Sequence, residues 1–328
     1  MTPSPEISVV MGVHNGAAHL EATLRSILDQ QGADLEFVVV DDGSTDGTAA
    51  ILAFHAQADA RLRVITQPNQ GLTRALIRGC HEARGAFIAR QDAGDVSEPG
   101  RLREQLALMR RYPQAVFCSC WARMVAKGGE LLYEARGSGL STEPRWVLEP
   151  AARHGILDGP SVHPTVMMRR AAYEQAGGYR AALRVGQDWD LWYRLAALGA
   201  FVMLPQPLYT YRFDEGGISA TRAEEQAAYA RLSLQAMRLR ARGESDEPVL
   251  QQAAAMPPTQ RQVTASRARA RMNYFVASNL IRNRDSRALR YIWASLRDDP
   301  LAPRVWMRGL QAAFLKLRSQ GAASGSVV

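Results

Sequence analysis

Four short strand-like segments, two of them long apolar runs, each released into a polar loop and followed by a helical pattern, constrain this chain more than any other feature. Ile7–Val13 (ISVVMGV) and Leu35–Val40 (LEFVVV) are two, and Leu62–Ile65 and Phe87–Ala89 complete the set. A run without polar alternation is expected of a strand buried on both faces. Between the strands, Leu20, Leu24, Ile27 and Leu28 mark one helix face, Ile51, Leu52 and Phe54 a second, and residues 72–83 a third helix. Alternation at this βαβ spacing predicts an α/β fold: a mostly parallel sheet with helices on both faces. With 328 residues, 47% of them hydrophobic, the chain has core enough for one large domain and a smaller one.

The polar loops recur at the strand ends: His14-Asn15, Asp41-Asp42, Asn69-Gln70 and Asp92 with Asp95. Open α/β sheets keep their ligands at the carboxyl ends of the strands. A crevice lined with carboxylates and amides suits sugar hydroxyls, an imide N–H, or a divalent metal carrying a diphosphate. No GxGxxG follows the first strand and no Walker lysine motif occurs, so neither form of glycine-rich phosphate binding is signalled. Residues 87–99 (FIARQDAGDVSEP) are central: a short strand, a loop with Asp92 and Asp95, and a helix expected from Pro99. Each acid also has a plain structural reading. Asp95 or Ser97 would cap that helix, Asp92 would close a turn, and Asp41-Asp42 would form an Asx turn.

VVMGVHNG, VVVDDGSTDGT, NQGLTRAL, ARQDAGDVSEPGRL and GQDWDLWYRL, in that order, resemble the successive motifs of the family 2 glycosyltransferases with the GT-A fold. The resemblance covers about residues 7–219 and implies inverting transfer of a sugar from a nucleotide diphosphate donor to an acceptor hydroxyl. It places Val13, His14, Asn15, Asp41, Asp42, Asn69, Gly71, Arg74 and Asp92 on the donor side. His163, Gly178 and Trp189 fall on the acceptor side, and Asp188 at the catalytic base. Asp190 is assigned to the dipole of its helix instead. The usual Asp-x-Asp-Asp pattern is broken: Asp92 and Asp95 stand, but Gly94 replaces the middle acid. A magnesium or manganese ion is therefore expected, held more weakly than by the full motif. Arg212 is a candidate clamp for the diphosphate, with Tyr211-Arg212 and Ser219 resembling the family's closing segment.

Further strands are expected at Ala115–Cys118, Met124–Lys127, Leu131–Tyr133, Val166–Met168, Phe201–Leu204 and Leu208–Tyr211, and a helix at Thr142–His154. From Thr221 the composition turns to alanine, arginine and leucine, with helices expected over Glu224–Arg242, Arg261–Ile281, Arg287–Leu296 and Pro303–Arg318. The domain reading is 1–220 for the GT-A-like domain, 221–320 for a helical basic region and 321–328 for a disordered tail. Residues 221–328 hold 18 basic against 8 acidic side chains, and the other 220 residues carry a net charge of −2. The imbalance points to an anionic partner, an anionic membrane surface or a phosphorylated substrate. Arg282, Arg284, Arg287 and Arg290 are its densest cluster. Nucleic acid is not the expected partner, since no aromatic interleaving accompanies the charge.

Three cysteines, two of them in Cys118-Ser119-Cys120, give neither a disulfide framework nor zinc spacing and suit a reduced cytoplasm. The N-terminus lacks the pattern of a signal peptide. No apolar run approaches the roughly 20 residues that span a bilayer. The expected location is cytoplasmic, peripheral to the inner face of the membrane, and the expected acceptor a glycan or lipid-linked glycan of a cell-surface polysaccharide. A non-catalytic nucleotide-sugar-binding or scaffold protein is the rival reading, motivated by Gly94.

Overall fold

The computed structural model describes residues 4–137, 159–213, 222–257 and 265–312. The helix expected at Thr142–His154, Ser219, the start of the helix at Arg261, the end of the one at Pro303–Arg318 and the tail all lie outside these residues. The chain divides into two compact units. The first comprises Met1–Arg123, Glu134–Tyr211 and Glu225–Met256, and the second Met124–Tyr133, Arg212–Glu224 and the chain from Pro257 onward.

In the first unit, β1 (Ile7–Val13) and β2 (Leu35–Asp41) are buried at every residue, as their mainly apolar character predicts, with Ser8 bonded to Glu36 inside the sheet. With β3 (Leu62–Thr66) and β4 (Phe87–Arg90) they form the parallel half of a sheet ordered β3-β2-β1-β4-β8-β6-β9-β5. Helices α1 (Leu20–Leu28), α2 (Thr48–Ala58) and α3 (Leu72–Glu82) make the crossovers. The register carries the functional consequence. Val13 lies opposite Asp41, and Asp41 opposite Thr66, so three strands end level and release their loops at one edge.

Beyond β4 the sheet turns antiparallel: β8 (Met167–Arg169) pairs with β4, and β6 (Ala115–Val125) with β8. The α/β class and mostly parallel sheet are as expected, while several boundaries differ. Two expected strands merge into β6, and two more into β9 (Ala200–Arg212), which runs through Pro205 and Pro207. β9 pairs with β5 (Val96–Ser97) only at Tyr209 and Thr210, so the prolines' missing N–H groups face no demand from that side. Helix α4 (Arg101–Arg111) starts two residues later than expected, because Gly100 at φ 81° turns the chain first. Three helices follow in this unit: α5 (Arg170–Gln175), α6 (Gln187–Ala196) and α7 (Ala223–Ala241), the last from Glu225 onward. The unit also holds α8 (Glu247–Ala255), which the sequence reading passed over.

The second unit packs α9 (Ala265–Arg282) and α10 (Ala288–Asp298) with residues from the turn between β6 and β7 (Leu131–Ala135). Its core includes Ala126, Leu132, Val276, Leu280, Ile292 and Leu296. Asn283 Nδ2 donates to the carbonyls of Leu131 and Leu132, tying helix to hairpin. A last helix, α11, spans residues 303–312.

Candidate active site

The loops that the sequence assigned to a donor side are held by one carboxylate. Asp42, 3% exposed, accepts from the Gln70 and Gly71 amides at 2.9 and 2.7 Å and from Gln67 Nε2 at 2.7 Å. It thereby pins the loop that opens α3. Asp41, also buried, accepts from the Ser44 amide and shapes the turn, the structural role its sequence context allowed. His14 Nδ1 lies 3.1 Å from the Asp42 carbonyl and from Asn69 Nδ2, and its Nε2 lies 3.3 Å from Asn15 Nδ2. With the proton on Nδ1, the ring donates to Asp42 and accepts from Asn15. Asn15, at φ 53°, receives the Thr45 amide on its side-chain oxygen. Val13, His14, Asn15, Asp41, Asp42, Asn69 and Gly71 thus form one connected rim. Arg74 stands exposed in the first turn of α3.

The central motif is organised by two arginines that have no solvent exposure. Arg90 donates to the Val10 and Gln91 carbonyls and, at 2.6 Å, to Asp92 Oδ1. Arg101 reaches Ser97 Oγ, Gln105 Oε1 and the carbonyls of Arg90 and Pro164, with its guanidinium 4.9 Å from the Tyr209 ring centre. The two acids then diverge. Asp92 keeps a side chain 30% exposed, whereas Asp95 is 3% exposed and accepts from the Tyr209 hydroxyl at 3.0 Å. Gly94 sits at φ 97°, where a Cβ would meet only His19 Cβ in ordinary contact at 4.0 Å, so the backbone is what resists a side chain there.

In the part of the chain that the sequence assigned to an acceptor side and a base, α6 begins after Gly186 and presents Asp188 in its first turn. Asp188 Oδ1 accepts the amide of Trp189, and burial pushes its carboxyl up to about 6. The charge of Asp92 adds to that rise, and backbone hydrogen bonds and Arg90 oppose it. His163 is half-buried against Tyr179 and Trp192. Its Nε2 lies 2.7 Å from the Tyr179 hydroxyl, and burial with Arg90 holds it well below the usual imidazole range, hence neutral. Gly178 is pressed against Tyr173, where a Cβ would stand 2.8 Å from the hydroxyl. Trp189 packs edge-on against Trp192, with ring centres 5.1 Å apart. Asp190 does more than favour the helix dipole: fully buried, it is bound by Arg194 at 2.7 Å with Arg180 and Arg240 nearby.

Arg90, Tyr179 and Tyr209 went unflagged as site residues. The signal for Arg90 was a charge closing an otherwise apolar strand, FIAR. Arg212 belongs to the second unit.

Among the described residues, no three His, Cys, Asp or Glu side chains cluster as metal ligands. Asp92 fits such a role with its second oxygen, since Arg90 engages only Oδ1. Asp95 is spent on Tyr209. A hard cation here would need phosphate oxygens and water to complete its shell.

The model of the family described as "Glycosyl transferase family 2" matches residues 8–175. A relative from Bacillus subtilis (strain 168), "Putative glycosyltransferase EpsE", is 32% identical over 221 residues, covering 65% of this chain and 75% of its own. "Succinoglycan biosynthesis protein ExoO" of Rhizobium meliloti (strain 1021) is 29% identical over 221 residues, 66% of this chain and 63% of its own. Among solved structures, S. aureus TarS 1-349 in complex with UDP-GlcNAc aligns at TM-score 0.58 and 16% identity, over 96% of this chain and 92% of its own. The mannosyltransferase PcManGT of Pyrobaculum calidifontis, in complex with GDP-Man and Mn2+, aligns at 0.53 and 18%, over 96% and 86%. At these identities the two structures establish the fold alone.

Proposed function

Because this chain belongs to glycosyl transferase family 2, we propose that it moves a sugar from a nucleotide diphosphate donor to an acceptor hydroxyl with inversion at the anomeric carbon. The observation that carries the reading is Asp188, a carboxylate at the start of α6 whose affinity for a proton is raised by burial and by Asp92. As the acceptor oxygen bonds to the anomeric carbon, its proton passes to Asp188. The bond from that carbon to the diphosphate oxygen breaks in the same displacement. A base poised near neutral pH is the useful one: strong enough to take the proton, yet ionised when needed. His163, held neutral and hydrogen-bonded to Tyr179, shapes the pocket wall.

The rim pinned by Asp42 is read as the nucleotide subsite, with Arg74 free to approach the phosphates. The acceptor is read as a glycan or lipid-linked glycan of a cell-surface polysaccharide, supported by the biosynthetic name of the Rhizobium relative. Work at the cytoplasmic face of a membrane fits the basic C-terminal region, and no helix of the described residues is long and apolar enough to cross one. Gly94 favours the rival reading of a non-catalytic binder, and turnover of a labelled donor separates the two.

Asp188 must be ionised to act, so kcat/KM should climb with pH below about 6 and level above it. A rate independent of pH across that interval, measured with chemistry limiting, would remove Asp188 from the role.

A bound divalent cation would neutralise the departing diphosphate, and Asp92 is the residue placed to hold it. Calorimetry should find negligible Mn²⁺ affinity in the free protein and measurable affinity once a nucleoside diphosphate is present. Asp92→Ala should abolish the second event. Gly94→Asp restores the missing acid at φ 97° and is expected to cost stability, about 1–3 kcal/mol for a strained backbone. Tight Mn²⁺ binding by the free protein would contradict the joint site.

A further inference from the structure

The arginines of the densest basic cluster are all exposed, and two of them also make ion pairs. Of the four arginines in the densest cluster, Arg287 pairs with Asp285 at 2.6 Å, and Arg290 pairs with the buried Glu130. The first pair is local, and the second ties α10 to the turn before β7. The second unit exposes large apolar side chains as well as these arginines. The inner side of α11 is fixed by Val305 and Ala312 in the core and by Gly309, where a Cβ would stand 3.3 Å from Ile292 of α10. A helix with one buried side should turn polar residues outward. Instead Trp306, Met307 and Leu310 are 52%, 62% and 76% exposed, and Leu301, just before the helix, is 88% exposed. On α10, Trp293 is 64% exposed, with Arg297 one turn further along.

We propose that this face of the second unit, Leu301, Trp306, Met307 and Leu310 with Trp293, docks on an anionic lipid bilayer, its apolar side chains entering the headgroup boundary. Charge complementarity selects that occupant. The whole positive balance of the C-terminal third lies from residue 257 onward, thirteen basic side chains against three acidic, whereas residues 222–256 are neutral. Two of the three acids are engaged, Asp285 by Arg287 and Asp298 by Arg269. Arg304 and Arg308 alternate with the exposed apolar residues on α11 itself. Tryptophan and leucine on one side with arginine beside them is the composition of a helix lying in a membrane interface. Arginine charge alone would leave the tryptophans unexplained. A water-facing segment would not be expected to expose four large apolar side chains within the ten residues from Leu301 to Leu310.

The proposal rests on the membrane-surface part of the functional reading, and its test uses no sugar donor, so either can fail without the other. The full chain is sedimented with vesicles of phosphatidylcholine alone and of phosphatidylcholine with phosphatidylglycerol, the latter also with acyl-chain-brominated lipid. Binding is expected only with phosphatidylglycerol, with tryptophan emission quenched by the bromine. Trp306→Gln with Leu310→Gln should weaken partition at least about tenfold, and Trp293→Phe with Trp306→Phe should keep binding while losing most of the quenching. Leu301→Gln, at the most exposed position, gives an independent variant whose melting temperature should match the parent. Three results would overturn the proposal: equal partition by the glutamine variants, equal binding to neutral vesicles without quenching, or no vesicle binding at all. The last, if light scattering shows a dimer that the glutamine variants dissolve, would assign the face to a second copy of the chain.

Discussion

Asp188→Asn is expected to lower sugar transfer by about 10²–10⁴-fold, the usual loss when a positioned proton acceptor is removed, while donor affinity stays nearly unchanged. The same variant should be more stable than the parent at neutral pH, which separates a lost base from a damaged fold. The fold raises the pKa of this carboxyl to about 6 and so favours its protonated form. The stability drawn from that preference is fully present below the ordinary aspartate range and is lost as pH rises through about 6. Above pH 6 the parent holds a poorly solvated charge that the amide does not, and the amide oxygen keeps the contact with the Trp189 amide. The difference in melting temperature should open in favour of the variant as pH rises from the acid side through 6. A variant that melts lower than the parent well above pH 6, or that retains near-normal turnover, would contradict the assignment.

Arg101→Met should cost about 3 kcal/mol of stability, because the buried carbonyls of Arg90 and Pro164 each lose a donor and each such loss runs to about 1–3 kcal/mol. Ser97 and Gln105 lose a partner as well. Arg103→Met, two residues along and more than half exposed, should change stability by less than about 0.5 kcal/mol. Urea unfolding of the two variants measures the contrast. The Arg101 variant should also slow turnover by more than its stability loss explains at saturating donor, since the guanidinium ties α4 to the strand carrying Arg90 and to the His163-Pro164 turn. Equal stability of the two variants would show that the buried network is not a keystone of the site.

That network is the part of the molecule the sequence hid. Leu102, Leu106 and Met109 mark the inward face of α4 by hydrophobic period, and Arg101 and Gln105 share it although their polarity suggests water. Nothing in the pattern says that a charged residue will be satisfied by carbonyls rather than solvent. The parallel strands were legible because double burial leaves a mainly apolar run, and the site edge followed from where those runs end. Where burial alternates with polar or proline residues, as along β6 and β9, one long strand read as two pieces. Asp42 stood out by its motif, yet its three bonds to the 67–71 loop depend on a register that spacing alone does not reveal. The basic cluster was legible only as a count. A count of charges cannot tell Arg290, spent on Glu130, from an arginine offered to a partner.

The most direct measurement follows the sugar itself. The full chain is incubated with α-linked UDP-, GDP- and dTDP-sugars in turn, with water as acceptor, while proton NMR records the anomeric signal of the released sugar before it equilibrates. Inverting chemistry with Asp188 as base predicts that one donor class is consumed, that the β anomer appears first, and that Asp188→Asn releases neither sugar nor nucleoside diphosphate at a comparable rate. First appearance of the α anomer, or equal release by the Asn variant, would contradict it.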